Sequence, residues 1–318
     1  MIRVSSASIH GVVFAQFKLA YDKGGAFVDN YYRALAIDSA VNSGCVVINC
    51  SWKASAPTAE LEESIIRATD STTASRPYTC VFFFGAGNSG GPVAFPASMS
   101  QTIAVGAVKF IGTRCGYSSY GSELDLVGVA DCTPSSCDAN FYAMDQMGTD
   151  GMNTHGGGCG GGDIADVDYT RRMNGTSSTC PQAAGVAALL LSKKPSLIRA
   201  PFLQGDTTTT DMVRLILRAT AKDLGSSGWD QYTGAGRISS FYALLAVMHG
   251  DINNDTFYDA VDINLLIQQL FFTGHYFHDS LGDVNCDGTY DSTDLDYLIA
   301  YTFNNGPEPP ICLKYPAP

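Results

Sequence analysis

The chain has 318 residues, 31 acidic against 19 basic side chains, and a formal charge of −12. Its 45% hydrophobic content excludes wholesale disorder, and its acidity excludes a nucleic-acid-binding face built on Lys and Arg. The charge is concentrated: residues 251–318 hold ten Asp, Glu308 and one basic residue, Lys314, a net −10 that leaves −2 for residues 1–250. The expectation is a large domain over 1–249 and a small acidic one over 250–318. No run approaches the roughly 18 apolar residues of a membrane-crossing helix.

In chain order, residues 31–43 have apolar spacing that predicts a helix, with Asn42 and Gly44 as stop signals. The run CVVINCS (45–51) has the length and continuity of a strand buried on both faces. Residues 58–70 predict a helix with an acidic first turn. Further strands are expected within 79–91, where the run ends in a glycine loop, and over 102–108 and 123–130. Strands alternating with helices predict a layered α/β domain. Residues 131–173 contain GGGCGGGD and read as a long loop or insertion. From 174 to 194 a polar turn runs into a helix of small apolar residues, with Pro181 in its first turn. Ala183, Ala184, Gly185, Ala187 and Ala188 let that helix pack closely on several sides, so it is expected at the centre. Residues 211–225 predict a last amphipathic helix ending at Gly225.

The ten cysteines are even in number, and several lie in Gly/Ser-rich loops, which favours an oxidising compartment. Cys132/Cys137 and Cys286/Cys312 are the expected pairs. Cys45, Cys50 and Cys180 lie in apolar segments, where a thiol acts as a small hydrophobe. Cys132-x4-Cys137 with His155-x3-Cys159 loosely resembles zinc spacing, but the glycine-rich context favours disulfides. The first twenty residues are not a signal peptide. The expectation is an extracellular or cell-surface protein whose export signal lies upstream of Met1.

The acidic tail is an internal repeat. DINNDTFYDAVD (251–262) recurs as DVNCDGTYDSTD (283–294), 32 residues on. Oxygen-bearing side chains occupy positions 1, 3, 5, 9 and 12: Asp251, Asn253, Asp255, Asp259 and Asp262, then Asp283, Asn285, Asp287, Asp291 and Asp294. Position 7, which supplies a backbone carbonyl, is Phe257 and then Thr289. This is the hard-oxygen set that Ca²⁺ needs, at the spacing of an EF-hand loop. Each loop leads into apolar residues at helical spacing, Ile263, Leu266, Ile267 and Leu270, then Leu295, Leu298 and Ile299. The tail resembles a type I dockerin over 250–303. The resemblance implies a small all-α calcium module and a cohesin-like partner. Ala260–Val261 and Ser292–Thr293 would stand at the recognition positions. The tight-turn glycine of the second loop is Gly288, whereas the first loop has Thr256, so weaker binding is expected at loop 1.

Ser177 lies at the mouth of the central helix, where unpaired backbone N–H groups favour an oxyanion. Such a serine is a candidate nucleophile and also an ordinary helix-capping residue. Asn88 follows a buried strand and is both a candidate oxyanion donor and an ordinary turn residue. Together, VVINCSW (46–52), FGAGNSGG (84–91), FPAS (95–98), IAVGAV (103–108), YSSYGSELDL (117–126) and NGTSSTCPQAAGVAAL (174–189) resemble, in order, the subtilisin-like serine proteases. The resemblance covers about 12–245 and implies a doubly wound parallel sheet and peptide-bond hydrolysis through an acyl-enzyme. It assigns Ser177 as nucleophile, Asn88 as oxyanion amide, Ser51 to the substrate-pairing wall, and Gly85 and Gly87 to the specificity pocket. Gln182 stands where the family usually has His, outside the catalytic triad. The family's D-[ST]-G and H-G-T-H motifs are absent from this sequence, and His10 lies too close to the following strand to replace them. The expectation is that residues 1–318 alone are inactive and that the missing acid and base lie upstream. A second reading is a pseudo-protease or scaffold module carrying a dockerin.

Overall fold

A computed structural model describes residues 4–9, 12–17, 29–69, 78–132, 142–145, 147–148, 153, 166–171, 173–198, 208–255, 257–272 and 279–313, the first two segments as backbone strands. Those strands, β1 (Val4–Ile9) and β2 (Val12–Phe17), pair antiparallel as a hairpin that the sequence reading does not anticipate. Then come α1 (Asn30–Asn42), β3 (Val47–Cys50), α2 (Ala59–Thr69), β4 (Val81–Gly85), β5 (Thr102–Val108) and β6 (Leu124–Val129). The four strands β3 to β6 form one parallel sheet in sequential order, with Val47 opposite Val81, Phe83 opposite Ile103 and Ala104 opposite Leu124. Each lies where a buried strand was expected.

Helices cover both faces of this sheet, and the alternation within β4 shows why. Phe82 and Phe84 point into a core with Ile37 and Val41 of α1 and Leu61 and Ile65 of α2. Val81 and Phe83 point the other way, toward α3 (Thr176–Lys193) and α4 (Thr209–Ala219). All five residues of β4 are buried, as a strand sandwiched between helix layers must be. α3 crosses the sheet centre with Cys180, Ala183 and Ala187 fully buried. Gln182 fastens it to β6, donating from Nε2 to the Val129 carbonyl at 2.7 Å and accepting the Val129 N–H at 3.2 Å. That side chain therefore ties helix to sheet.

α4 ends at Ala219, six residues before Gly225. The chain beyond it is drawn into pairing between Lys222 and Arg237, whose amides and carbonyls exchange two 2.7 Å hydrogen bonds. A short helix, α5 (Ser240–Leu245), then packs Ala243 into the α3 side of the core. In the 131–173 segment the described residues include β7 (Ala143–Met144) paired with β8 (Tyr169–Thr170). Cys286 bonds Cys312 as expected, but Cys132 bonds Cys115 and not Cys137. Cys115 and Cys132 share a small buried cluster with Ala107 and Ala130, because β5, the turn after it and β6 converge there. The same disulfide consumes the thiol that a zinc site would need. Cys137, His155 and Cys159 lie outside the described residues.

The acidic tail is α6 (Ala260–Phe271), the short α7 (Asp279–Gly282) and α8 (Ser292–Asn304) around Ile252, Ile263, Leu266, Val284 and Leu298.

Candidate active site

The loops at the C-terminal ends of β3 and β4 meet the N-terminus of α3. Thr176 and Ser178 are buried, while Ser177 between them is exposed. Its Oγ donates to the Ser51 carbonyl at 3.2 Å, and Ser51 Oγ donates to the Ser177 carbonyl at 2.9 Å. Asn88 lies alongside. Its Oδ1 accepts from the Thr176 N–H at 2.9 Å and from Thr176 Oγ1 at 3.0 Å, which leaves the Nδ2 amide as the donating end. Gly87 N–H donates to Thr176 Oγ1 at 3.2 Å. The structure thus brings Ser177, Asn88, Ser51, Gly85 and Gly87 together from three separate stretches of the sequence.

Close approach explains the glycines. A Cβ on Gly85 would stand 2.9 Å from Thr176 Oγ1, and one on Gly87 would stand 2.9 Å from Ser119 Oγ. Gly175, the residue before the helix, has φ +76°, and a Cβ there would stand 2.8 Å from Asn88 Nδ2. Only glycine lets the turn carry Ser177 past the Asn88 amide.

Two supporting residues escaped the sequence reading. Thr176 orients Asn88, as above. Tyr117 Oη accepts the Gly175 N–H at 2.9 Å and donates to the Asp131 carbonyl at 2.7 Å, so it holds the turn that presents Ser177. Burial pushes the Tyr117 hydroxyl up to about 12, against the pull of the Gly175 N–H. No local periodicity marks either residue, because their partners lie 58 and 88 positions away. Near Ser177, burial also raises the Cys180 thiol to about 12 and the Cys50 thiol well above its ordinary value, so neither is poised as a nucleophile. His10, His155, His275 and His278 lie outside the described residues. His249 is buried against the tail, with Nδ1 3.1 Å from the Asp283 carbonyl.

The two acidic loops repeat the same backbone-to-carboxylate hydrogen bonds. In the first, the Asp255 N–H donates to Asp251 Oδ1 and Asn253 Oδ1, both at 3.0 Å. In the second, the Asp287 N–H donates to Asp283 Oδ1 at 3.0 Å and Asn285 Oδ1 at 2.8 Å. Phe257 and Thr289 N–H groups bond the position 5 carboxylates, Asp255 and Asp287, at 2.9 and 2.8 Å. Asp259 and Asp262, and likewise Asp291 and Asp294, form capping boxes at the starts of α6 and α8. Gly288 has φ +96°, the left-handed turn that its position requires, whereas Thr256 lies outside the described residues.

Asp251, Asp262, Asp283 and Asp294 are all buried, and burial raises the Asp262 and Asp294 carboxyls above their ordinary range. Gathering buried acids in this way is unfavourable unless a cation compensates them. The described residues contain no cluster of three or more His, Cys, Asp or Glu arranged as a metal site. Each loop's donor set instead mixes carboxylates with an amide and a backbone carbonyl, and that oxygen chemistry fits Ca²⁺.

Residues 5–236 match the subtilase family model, and residues 249–303 match the type I dockerin domain model. A calcium-dependent protease of Trichormus variabilis is 32% identical over 228 residues, 64% of this chain and 32% of that protein. Subtilisin Savinase of Lederbergia lenta is 29% identical over 195 residues, 61% of this chain and 55% of that protein. The chain thus spans about a third of the calcium-dependent protease and about half of the subtilisin. Among solved structures, a lanthipeptide protease shares the fold with a TM-score of 0.52 at 24% identity, covering 71% of this chain and 68% of that one.

Proposed function

Because the chain belongs to the subtilase family and ends in a type I dockerin, we propose that it carries the nucleophile half of an exported serine endopeptidase anchored to a cohesin-like protein. The observation that carries this reading is the placement of Ser177. It is an exposed hydroxyl at the N-terminus of a buried helix, with the Asn88 amide beside it and the Ser51 segment opposite.

Ser177 Oγ attacks a peptide carbonyl while a base takes its proton. The Asn88 amide and the Ser177 N–H at the start of α3 hold the oxyanion, the amine leaves, and water releases the acyl group. Ser51 and the residues beside it pair with the substrate backbone, and the segment from Gly85 to Gly87 lines the pocket for its side chain. The family's motifs for the base and its orienting acid do not occur in residues 1–318. Without them the chain retains the oxyanion site and the binding wall but little turnover. The same absence favours the second reading, a non-catalytic module carried on a dockerin.

The tail binds two Ca²⁺ ions. Asp251, Asn253, Asp255, Phe257, Asp259 and Asp262 hold one, and Asp283, Asn285, Asp287, Thr289, Asp291 and Asp294 hold the other. Bound calcium neutralises the loop carboxylates and holds the α6 and α8 N-termini in place. Ala260, Val261, Ser292 and Thr293 are exposed there for a protein partner. Among the described residues no helix is long and apolar enough to cross a membrane.

Two assays test the catalytic reading. Residues 1–318 should turn over a fluorogenic peptide panel no faster than the Ser177→Ala variant. Extended at its N-terminus by a subtilase segment that carries the acid and base motifs, the protein should gain activity that Ser177→Ala abolishes and Asn88→Ala lowers about 10²–10³-fold. Activity in the extended protein that is indifferent to Ser177 would refute it.

A further inference from the structure

The tail does not hang from the peptidase domain on a linker. Ala246, Val247 and His249 are buried at the junction, and Ala246 and Val247 belong to the α3–α4 core. The acidic repeat begins at once, with Asp251. Beyond α8 the chain doubles back: Ile311 and Leu313 pack on that same core, and the Cys312 N–H donates to the Ala246 carbonyl at 2.9 Å.

One loop position recurs at this interface. Position 4 of the first loop is Asn254, and position 4 of the second is Cys286. Both adopt left-handed backbone, at φ 61° and φ 58°. Lys193, in the last turn of α3, donates from Nζ to the Asn254 carbonyl at 3.3 Å and also to its Oδ1. Cys286 bonds Cys312, the returning residue anchored on Ala246. Next to Lys193, the buried Lys194 donates to the Pro309 carbonyl at 3.0 Å and pairs with Glu308 at 3.4 Å. Each loop therefore touches the peptidase domain through the same position, one by a lysine clamp and one by a disulfide-tied strap. The lysine clamp belongs to the helix whose other end presents Ser177.

We propose that the peptidase domain and the dockerin form one calcium-dependent unit, in which position 4 of each loop transmits calcium occupancy to the C-terminal end of α3. The inference rests on reading the loops as calcium sites. Position 4 lies between the ligand positions 3 and 5, so its backbone is held only while its neighbours converge on the ion. Released loops no longer present the Asn254 carbonyl to Lys193 or the strap to Ala246, and the last turn of α3 frays.

Hydrogen exchange on the intact 1–318 chain, with and without a calcium chelator, tests this, and titration calorimetry counts the bound ions. Chelation should lower amide protection over residues 190–193 about tenfold. Lys193→Met should remove most of that response, Lys193→Arg should keep it, and Cys286→Ser/Cys312→Ser should reduce it. If two ions bind and α3 protection does not change, the coupling is refuted while the calcium loops stand. If no calcium binds, the loop reading fails and the coupling with it. A response retained in full by both Lys193→Met and the cysteine variant would refute the position 4 route.

Discussion

The two halves of this molecule are stabilised in opposite ways. The peptidase domain buries a strand of three consecutive phenylalanines, Phe82, Phe83 and Phe84, between two helix layers, and its buried acid Asp125 is matched by Arg214 at 3.1 Å. Among the described residues, the dockerin core sets five buried apolar residues against four buried carboxylates. Apolar burial, at roughly 25 cal/mol per Å², is the main stabilising term for the first. The second is too small and too charged for that, so its folding free energy is expected to come from calcium and from the Cys286–Cys312 bridge. One chain thus joins a domain built on an apolar core to one whose folding is expected to depend on calcium, and the two meet at the last turn of α3.

The largest effect that can break this contrast is calcium removal. Chelation should abolish the helical signal of α6 and α8 in circular dichroism while the four-stranded sheet persists. A tail that keeps its helices in chelator would show that its core suffices without metal. Next in size, Phe83→Ala should destabilise the peptidase domain by about 3–5 kcal/mol, seen as a lowered denaturant midpoint. A loss under 1 kcal/mol would mean that the sheet core is not what holds this half.

The contrast is sharpened by comparing the loops with each other. Asp283→Ala should weaken calcium binding more than Asp251→Ala, because Gly288 meets the left-handed turn without strain and the first loop has Thr256 at that position. Calorimetry on the two variants decides it, and equal affinities would remove the ranking.

The smallest effect concerns pH. Tyr117 is raised by burial to about 12 from an unfolded value near 10. Its contribution is complete below pH 10 and is lost as pH rises through 12, because only the unfolded chain ionises readily in that window. Tyr117→Phe should flatten this alkaline limb and remove about 1 kcal/mol at neutral pH, the net worth of the hydroxyl's hydrogen bonds. An unchanged alkaline limb in Tyr117→Phe would place the titrating group elsewhere.

Much of the site was legible because its signals are local. Ser177 stands at a polar-to-apolar switch that marks a helix mouth, Asn88 follows a continuous apolar run, and the acidic loops repeat in register. The Cys132 pairing was misread for the complementary reason. Cys137 is near in sequence, but the β5–β6 turn brings Cys115 to Cys132 from 17 residues away. The length of α4 was overestimated because Gly225 is a local stop signal, whereas the chain leaves the helix earlier to pair with Arg237.

By itself the sequence determined the strand runs, the central helix, the two acidic loops and the residue types at the candidate nucleophile and oxyanion positions. Each of these depends on neighbours a few residues away, through periodicity, capping or ligand spacing. Only the tertiary structure decided that Tyr117 and Thr176 hold the turn before Ser177, that Cys115 takes Cys132, and that Lys193 and the strap bind the tail to α3. Those contacts join residues 17 to 115 positions apart. Their partners are selected by how the layers pack, which no window along the chain records.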